Sequence, residues 1–292
     1  MRRPAASLPL AFSLTLADDS RWLVESVADS LLSTTVACDL AAVMGLEPAA
    51  TGLDVEADRR LVIDTDGVTL PADRPASRPR VRWALRSDWR SETDRGDPEY
   101  VALVISAGAM LARAMTSCGV LLLHGALLAG PGADDTARGV LLSGRGGSGK
   151  TTAAGKLRPP WQALSDDQAL VVDCGARGVW AHPWPTWSLY DEAGLAGTWT
   201  VQSGVPLAAL AFLRQGAPRA LTTIGAATAA ARAVAAADDV GGVIGLRLDP
   251  ADEREVRLRR LDLAGRLALR VPAYELTLGL DDDVVAALTP LV

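Results

Sequence analysis

Lysine is almost missing from this chain. Of 29 basic residues only Lys150 and Lys156 are lysines, so a motif that demands lysine at a fixed position is seldom met by chance. Histidine is as scarce, with His124 and His182 alone. The three cysteines, Cys38, Cys118 and Cys174, are odd in number and form no C-x-x-C pair. That excludes a disulfide framework and a zinc site of the usual spacing, and it fits a reducing cytoplasm. There is no long basic run and the net charge is −6, which argues against nucleic acid as the main partner. Long apolar runs are missing too, so no membrane span is expected. Arg2-Arg3 followed by Leu8 to Leu16 has the outline of a signal peptide. However, Leu10, Phe12, Leu14 and Leu16 alternate with Ala11, Ser13 and Thr15, and no small-x-small site precedes Asp18-Asp19. The segment reads as a half-buried strand, and the expected location is the cytoplasm.

What is present is a 49% apolar composition, ample for a core in a chain of 292 residues, and one dominant motif. Gly144-Arg145-Gly146-Gly147-Ser148-Gly149-Lys150-Thr151-Thr152 fits G-x-x-x-x-G-K-[ST], the phosphate-binding P-loop. Gly139 to Ser143 reads as a short buried strand before it, and Thr151 to Leu157 as a helix after it. Strand, glycine loop and helix start point backbone N–H groups at one anion. On this reading Lys150 contacts the β/γ-phosphates of ATP and the Thr151 hydroxyl ligates Mg²⁺.

Residues 1 to about 97 read as a smaller N-terminal α/β lobe. Strands are expected at Pro9–Leu16, Leu61–Thr65, Val68–Leu70 and Val81–Leu85, with a hairpin at Asp66-Gly67 and an exposed loop over Pro71–Arg80. Ser20 to Leu32 is expected to be a helix. Asp18-Asp19 and Asp64-x-Asp66 read as turn residues rather than metal ligands. From 98 to 292 the pattern is that of the main domain. Asp97-Pro98-Glu99 opens a helix to about Thr116, expected to lie buried between the lobes. The apolar run Val120 to Leu128 reads as a buried strand, with Ala129 to Arg138 as a loop.

Four further features bear on chemistry. His124 interrupts the apolar strand before the P-loop strand, and it is either a core histidine or a group beside the phosphates. Asp166-Asp167 follows the P-loop lysine by some 16 residues. It is either a turn or the second half of a phosphoryl-transfer site, one carboxylate on Mg²⁺ and one accepting a proton. Trp184 and Trp187, in a Pro-rich stretch after Val179, either wall a substrate or plug the core. Arg214, ending the strand Pro206–Leu213, is either a solvated loop residue or a neutraliser of phosphate charge. Helices are expected at Ile224–Ala237, within the alanine-rich stretch Thr222–Asp239, and at Ala251–Leu269, the latter with a Glu255–Arg259 pair. A last strand is expected at Val271–Leu278, and Asp281-Asp282-Asp283 caps a final helix, Val284 to Leu288.

Together, Leu123-His124-Gly125-Ala126, Gly139 to Thr151 and Leu164-Ser165-Asp166-Asp167 resemble the catalytic domain of HPr kinase/phosphorylase. The resemblance implies an α/β P-loop domain related to phosphoenolpyruvate carboxykinase, with a mixed β-sheet flanked by helices. It implies an ATP- and Mg²⁺-dependent serine kinase, with Asp166 as acid/base, Asp167 and Thr151 on the metal, and His124 and Lys150 on the phosphate side. It also makes a homo-oligomer an expectation. That family's glycine-rich C-terminal signature has no counterpart here, so the chain looks more like the HPr-kinase-related proteins encoded beside modified peptides such as lasso peptides. The acceptor implied is a serine hydroxyl on a precursor peptide. Two other readings fit the same residues: a non-catalytic, nucleotide-regulated binding module, and a small-molecule kinase acting on free serine.

Overall fold

Alternation of apolar and polar side chains from Leu10 onward makes strand β1 (Leu10–Thr15). The chain turns at Asp18-Asp19, where Asp19 takes a φ of 67°, and returns as β2 (Arg21–Ser26), with Leu14 opposite Trp22 and Phe12 opposite Val24. The helix expected over Ser20 to Leu32 is therefore a strand in its first half. Trp22 and Val24 are residues that prefer a pleated, half-buried surface, and their cross-strand partners outweigh a weak helical drift. The helix follows later, as α1 (Leu31–Val43). The computed structural model describes residues 10–27, 31–50, 59–64, 67–69, 80–82, 98–185, 200–241 and 250–292.

Strands β3 (Ala49–Ala50), β4 (Arg59–Asp64), β5 (Gly67–Thr69) and β6 (Arg80–Arg82) complete a six-stranded sheet of order β3-β1-β2-β4-β5-β6. Only the β2–β4 pairing is parallel. The expected hairpin is present as an antiparallel β4–β5 pair with Asp64 opposite Gly67; Asp66, residues 71–79 and residues 83–85 lie outside the described residues. Helix α2 (Pro98–Thr116) packs as expected between the lobes. Its Tyr100, Val104, Met110 and Met115 share one cluster with Phe12, Trp22, Leu40 and Ile63 of the first lobe and with Val120, Leu170 and Trp184 of the second.

The second sheet is mixed and eight-stranded. Its strands are β7 (Val120–Pro131), β8 (Ala137–Ser143), β9 (Gln162–Ser165), β10 (Gln168–Asp173), β11 (Val179–Trp184), β12 (Val205–Gln215), β13 (Ala220–Thr223) and β14 (Ala273–Leu278). β8, β12 and β14 run parallel. β11 pairs with both β10 and β12, so the sheet curls back on itself. Helices α4 (Ala226–Gly241) and α5 (Pro250–Arg270) cover one side through Ala229, Ala233, Leu263 and Leu267. Short helices α3 (Lys150–Gly155) and α6 (Val284–Leu288) cover the other through Ala153, Ala154, Val284 and Leu288.

Several expected boundaries move. β7 continues to Pro131 and β8 starts at Ala137, so half of the expected loop over Ala129 to Arg138 belongs to the two strands of a hairpin. The edge strand Ala220–Thr223 is not among the expected strands; its β-branched Thr222 and Thr223 suit a ladder against β14, and the helix expected from Ile224 begins at Ala226. The exposed i,i+4 pairs on α5 are Glu253 with Arg257 and Asp262 with Arg266, rather than the expected Glu255 with Arg259. As expected, Asp283 caps α6 by accepting from the Ala286 N–H at 3.2 Å.

A buried histidine ties the two sheets together. Nε2 of His182 accepts from the Ala17 N–H at 3.0 Å, and Nδ1 lies 2.9 Å from the Val201 carbonyl. Because Ala17 N only donates and Val201 O only accepts, the ring is neutral with its proton on Nδ1. Burial pushes its pKa below the ordinary histidine value, against the hydrogen bond to Val201 and the charge of Asp18. A histidine held neutral in the fold binds its proton more readily when unfolded, so the stability is full above about pH 6.5 and falls as the pH drops from there toward the folded value. Gly204 packs on this ring: a Cβ there would lie 2.6 Å from Cε1 and 2.7 Å from Nε2. Gly204→Ala is expected to cost about 1–3 kcal/mol of stability and to flatten the loss on acidification. Urea unfolding of both proteins at about pH 7.5 and about pH 5.5 measures both effects.

Candidate functional site

The apolar strand β8 ends at Ser143, and the glycine loop that follows turns back within a few residues. Gly147 and Gly149 take φ values of 74° and 93°, in the left-handed region open to glycine. The Ser148 N–H donates to the Arg145 carbonyl at 3.0 Å. Gln215, at the end of the neighbouring β12, donates from Nε2 to the Gly147 carbonyl at 3.0 Å. Lys150 turns inward, only 6% exposed. Its Nζ donates to the Gly144 carbonyl at 2.7 Å and to the Arg145 carbonyl at 3.3 Å. Burial holds this ammonium below the ordinary lysine value, opposed by the charges of Asp167 and Asp239. Ser148 Oγ is buried without a hydrogen-bond partner. Thr151 and Thr152, in the first turn of α3, are exposed.

The acidic pair is brought to the loop by strand order. β9 pairs with β7 at Leu127 to Ala129, and β10 pairs with β7 at Val120 to His124. Both lie antiparallel to β7, so the Asp166-Asp167 step between them falls beside His124 and Gly125. The Gly125 N–H donates to the Asp167 carbonyl at 2.7 Å. His124 Nε2 is 3.2 Å from Asp167 Oδ1, and its Nδ1 is 3.5 Å from Asp239 Oδ2 on α4. Burial pushes the Asp167 carboxyl up, but the hydrogen bond and charge of His124, with Gln168 and Lys150, outweigh it and hold the group below the ordinary carboxylate value. Asp166 is buried, 7% exposed. The Lys150 ammonium, the His124 imidazole and the carboxylates of Asp167 and Asp239 thus form one group beside the glycine loop.

Residues 91–284 match the family model described as ScmC, SynChlorMet cassette protein ScmC. The chain belongs to the ScmC family. No curated protein matches the chain. The ScmC match takes in the glycine loop, His124, Asp166, Asp167, Gln215 and Asp239, and it leaves out β1 to β6.

Within the ScmC span some expected site residues are drawn together and others are not. Lys150, Asp167 and His124 form one group. Arg214 instead lies beside Glu275 at 3.8 Å, with its side chain 72% exposed. Successive strand residues point to opposite sides: Gln215 reaches the loop, whereas Arg214 joins Glu275, which Arg232 also binds at 2.6 Å. Trp184 is fully buried in the cluster around α2, so it fills core rather than walling a substrate; Trp187 lies outside the described residues. Two contributors escaped the sequence reading. Gln215 had a signal, since alternation sends only one of Arg214 and Gln215 to the loop side. Asp239 had none, being one of two adjacent acids at the end of an alanine-rich helix.

Asp167 offers a direct check on this electrostatic group. A depressed carboxylate contributes stability above its unfolded value, about 3.9, and loses it as pH falls through the folded value. His124→Ala removes the largest group that lowers the Asp167 pKa and leaves the burial that raises it. In that variant Asp167 is expected to titrate at higher pH than in the wild type, read by carboxyl carbon NMR. An unchanged titration would mean that His124 does not set it.

Proposed function

We propose that this chain is an ATP-dependent phosphotransferase of the HPr-kinase-like type, which moves the γ-phosphoryl group to a hydroxyl acceptor, a serine of a peptide or protein. The observation that carries the reading is Lys150. A nearly dry ammonium, folded onto two carbonyls of a glycine loop and faced by Asp167, is suited to exchange those neutral partners for phosphate oxygens. The orphaned Ser148 hydroxyl adds a buried polar atom for which a phosphate oxygen is a fitting partner.

Each residue then has a task. The loop N–H groups and Lys150 hold the β/γ-phosphates, and Gln215 keeps the loop in shape through Gly147. Asp167 and the Thr151 hydroxyl would hold Mg²⁺, which is ordinarily bound by one or two carboxylates together with phosphate oxygens and water. When bound, the ion supplies charge neutralisation at the β- and γ-oxygens. His124 orients the Asp167 carboxylate through Nε2, with Asp239 fixing the ring from Nδ1. Asp166, buried one residue away, accepts the proton of the acceptor hydroxyl on its carboxylate. Catalysis on this reading is positioning and charge stabilisation, the main demands of phosphoryl transfer. The serine on a peptide acceptor rests on the resemblance in the His-Gly, glycine-loop and Ser-Asp-Asp segments.

With γ-labelled ATP·Mg²⁺ and a panel of serine-containing peptides plus free serine, the wild type is expected to label a hydroxyl acceptor. Asp166→Asn is expected to lower that rate about 10²- to 10⁴-fold while leaving nucleotide affinity nearly unchanged. Transfer at the wild-type rate by Asp166→Asn would move the base elsewhere. A wild type that binds nucleotide but labels no hydroxyl would favour a binding module.

A further inference from the structure

Helix α5 has two apolar faces. A helix advances about 100° per residue, so Val256, Leu263 and Leu267 fall together; all three are buried, the two leucines in the cluster that covers the main sheet. Leu258, Leu261 and Leu269 fall on the opposite side and are 58%, 57% and 79% exposed. Among the described residues, Leu221 and Leu280 are the other large apolar side chains left in solvent. Gly265 completes the outer stripe, and a Cβ added there would meet open space. The positions 258, 261, 265 and 269 are spaced three, four and four apart. That is the spacing of a helix–helix seam, about 16 Å long. A face turned only to water has no use for three leucines at this spacing.

We propose that this face packs against the same face of a second copy of the chain, antiparallel, about a twofold axis near residue 264. The pattern is self-complementary in that orientation. Reversing the helix about 264 sets the partner's Leu269, Gly265, Leu261 and Leu258 level with positions 259, 263, 267 and 270. Those levels fall between or just beyond the outer residues 258, 261, 265 and 269, so the leucines interdigitate. Gly265 lies nearest the axis, where the two backbones come closest and a side chain would hold them apart. The charges obey the same rule. Asp262 and Arg266 flank the stripe on one side and pair within the chain at 2.5 Å. Reversal sets the partner's Arg266 level with Asp262, so both pairs can be shared across the axis. A parallel arrangement would instead bring this flank against the partner's opposite flank, which carries Ala264 and Ala268, and the exchange of ion pairs would be lost. A single helix face covers less than the roughly 800 Å² per partner of a tight dimer, so the association is reversible and depends on concentration.

Sedimentation of the full chain at about 100 µM tests this, a range where a modest reversible interface is populated. The wild type is expected to approach twice the 30.5 kDa chain mass. A Leu258→Glu/Leu269→Glu double variant is expected to stay at 30.5 kDa, with its dimer dissociation constant raised at least about 100-fold. At about 1 µM, where both proteins are single chains, its unfolding midpoint is expected to match the wild type, because both side chains are exposed in the single chain. Orientation is read by a short bismaleimide. Gly265→Cys is expected to cross-link to its own copy above the wild-type background, and Leu258→Cys, far from the axis, is not. A monomeric wild type at that concentration, a double variant that still dimerises, or equal cross-linking at both positions would overturn the proposal. The first of these outcomes would leave the stripe to a different partner.

Discussion

An ammonium group withdrawn from water must be surrounded by oxygen, and the geometry around Lys150 follows from that requirement. Side-chain burial this deep would ordinarily cost the charge. The glycine loop meets the cost with the Gly144 and Arg145 carbonyls, which face inward because Gly147 and Gly149 occupy backbone conformations closed to most residues. Parallel strands β8 and β12 fix both ends of this arrangement, one by leading into the loop and the other by presenting Gln215 to Gly147.

The same requirement accounts for the charges nearby. Asp167 and Asp239 bracket His124, and their charges oppose the burial that holds the Lys150 ammonium below its ordinary value. Asp167 reaches this position because two consecutive strands, β9 and β10, share one neighbour in β7. The kink between them has nowhere to go except beside His124-Gly125. Arg214, Arg232 and Glu275 form a separate cluster, with Arg232 also lying 5.5 Å from the Phe212 ring centroid. That cluster joins β12, α4 and β14 and is stabilising rather than part of the loop's surroundings.

Much of the second lobe was legible in the sequence because its signals are local. The β8 strand, the glycines and the lysine sit within a dozen residues, and an apolar run such as Val120 to Ala129 has few ways to be buried. The Asp283 cap and the α2 start were legible for the same reason. The failures needed distant partners. Trp22 and Val27 fit a weak helical stripe until β1 is placed opposite Trp22 and Val24. Ala220 to Thr223 carry no strand signal of their own until β14 supplies a ladder. Arg214 and Gln215 could not be told apart without the side of the sheet on which the loop lies. Asp239 joins His124 only because α4 crosses β7, a tertiary fact that no spacing in the chain encodes.

Calorimetric titration of ATP·Mg²⁺ into the wild type and into Lys150→Ala bears most directly on the idea that this loop exists to hold phosphate. The wild type is expected to bind with measurable heat, and the variant to lose that binding while keeping its unfolding midpoint at or above the wild-type value, since it no longer buries an ammonium. Equal binding by both proteins, or none by the wild type, would contradict the account and leave the buried lysine as a purely structural feature.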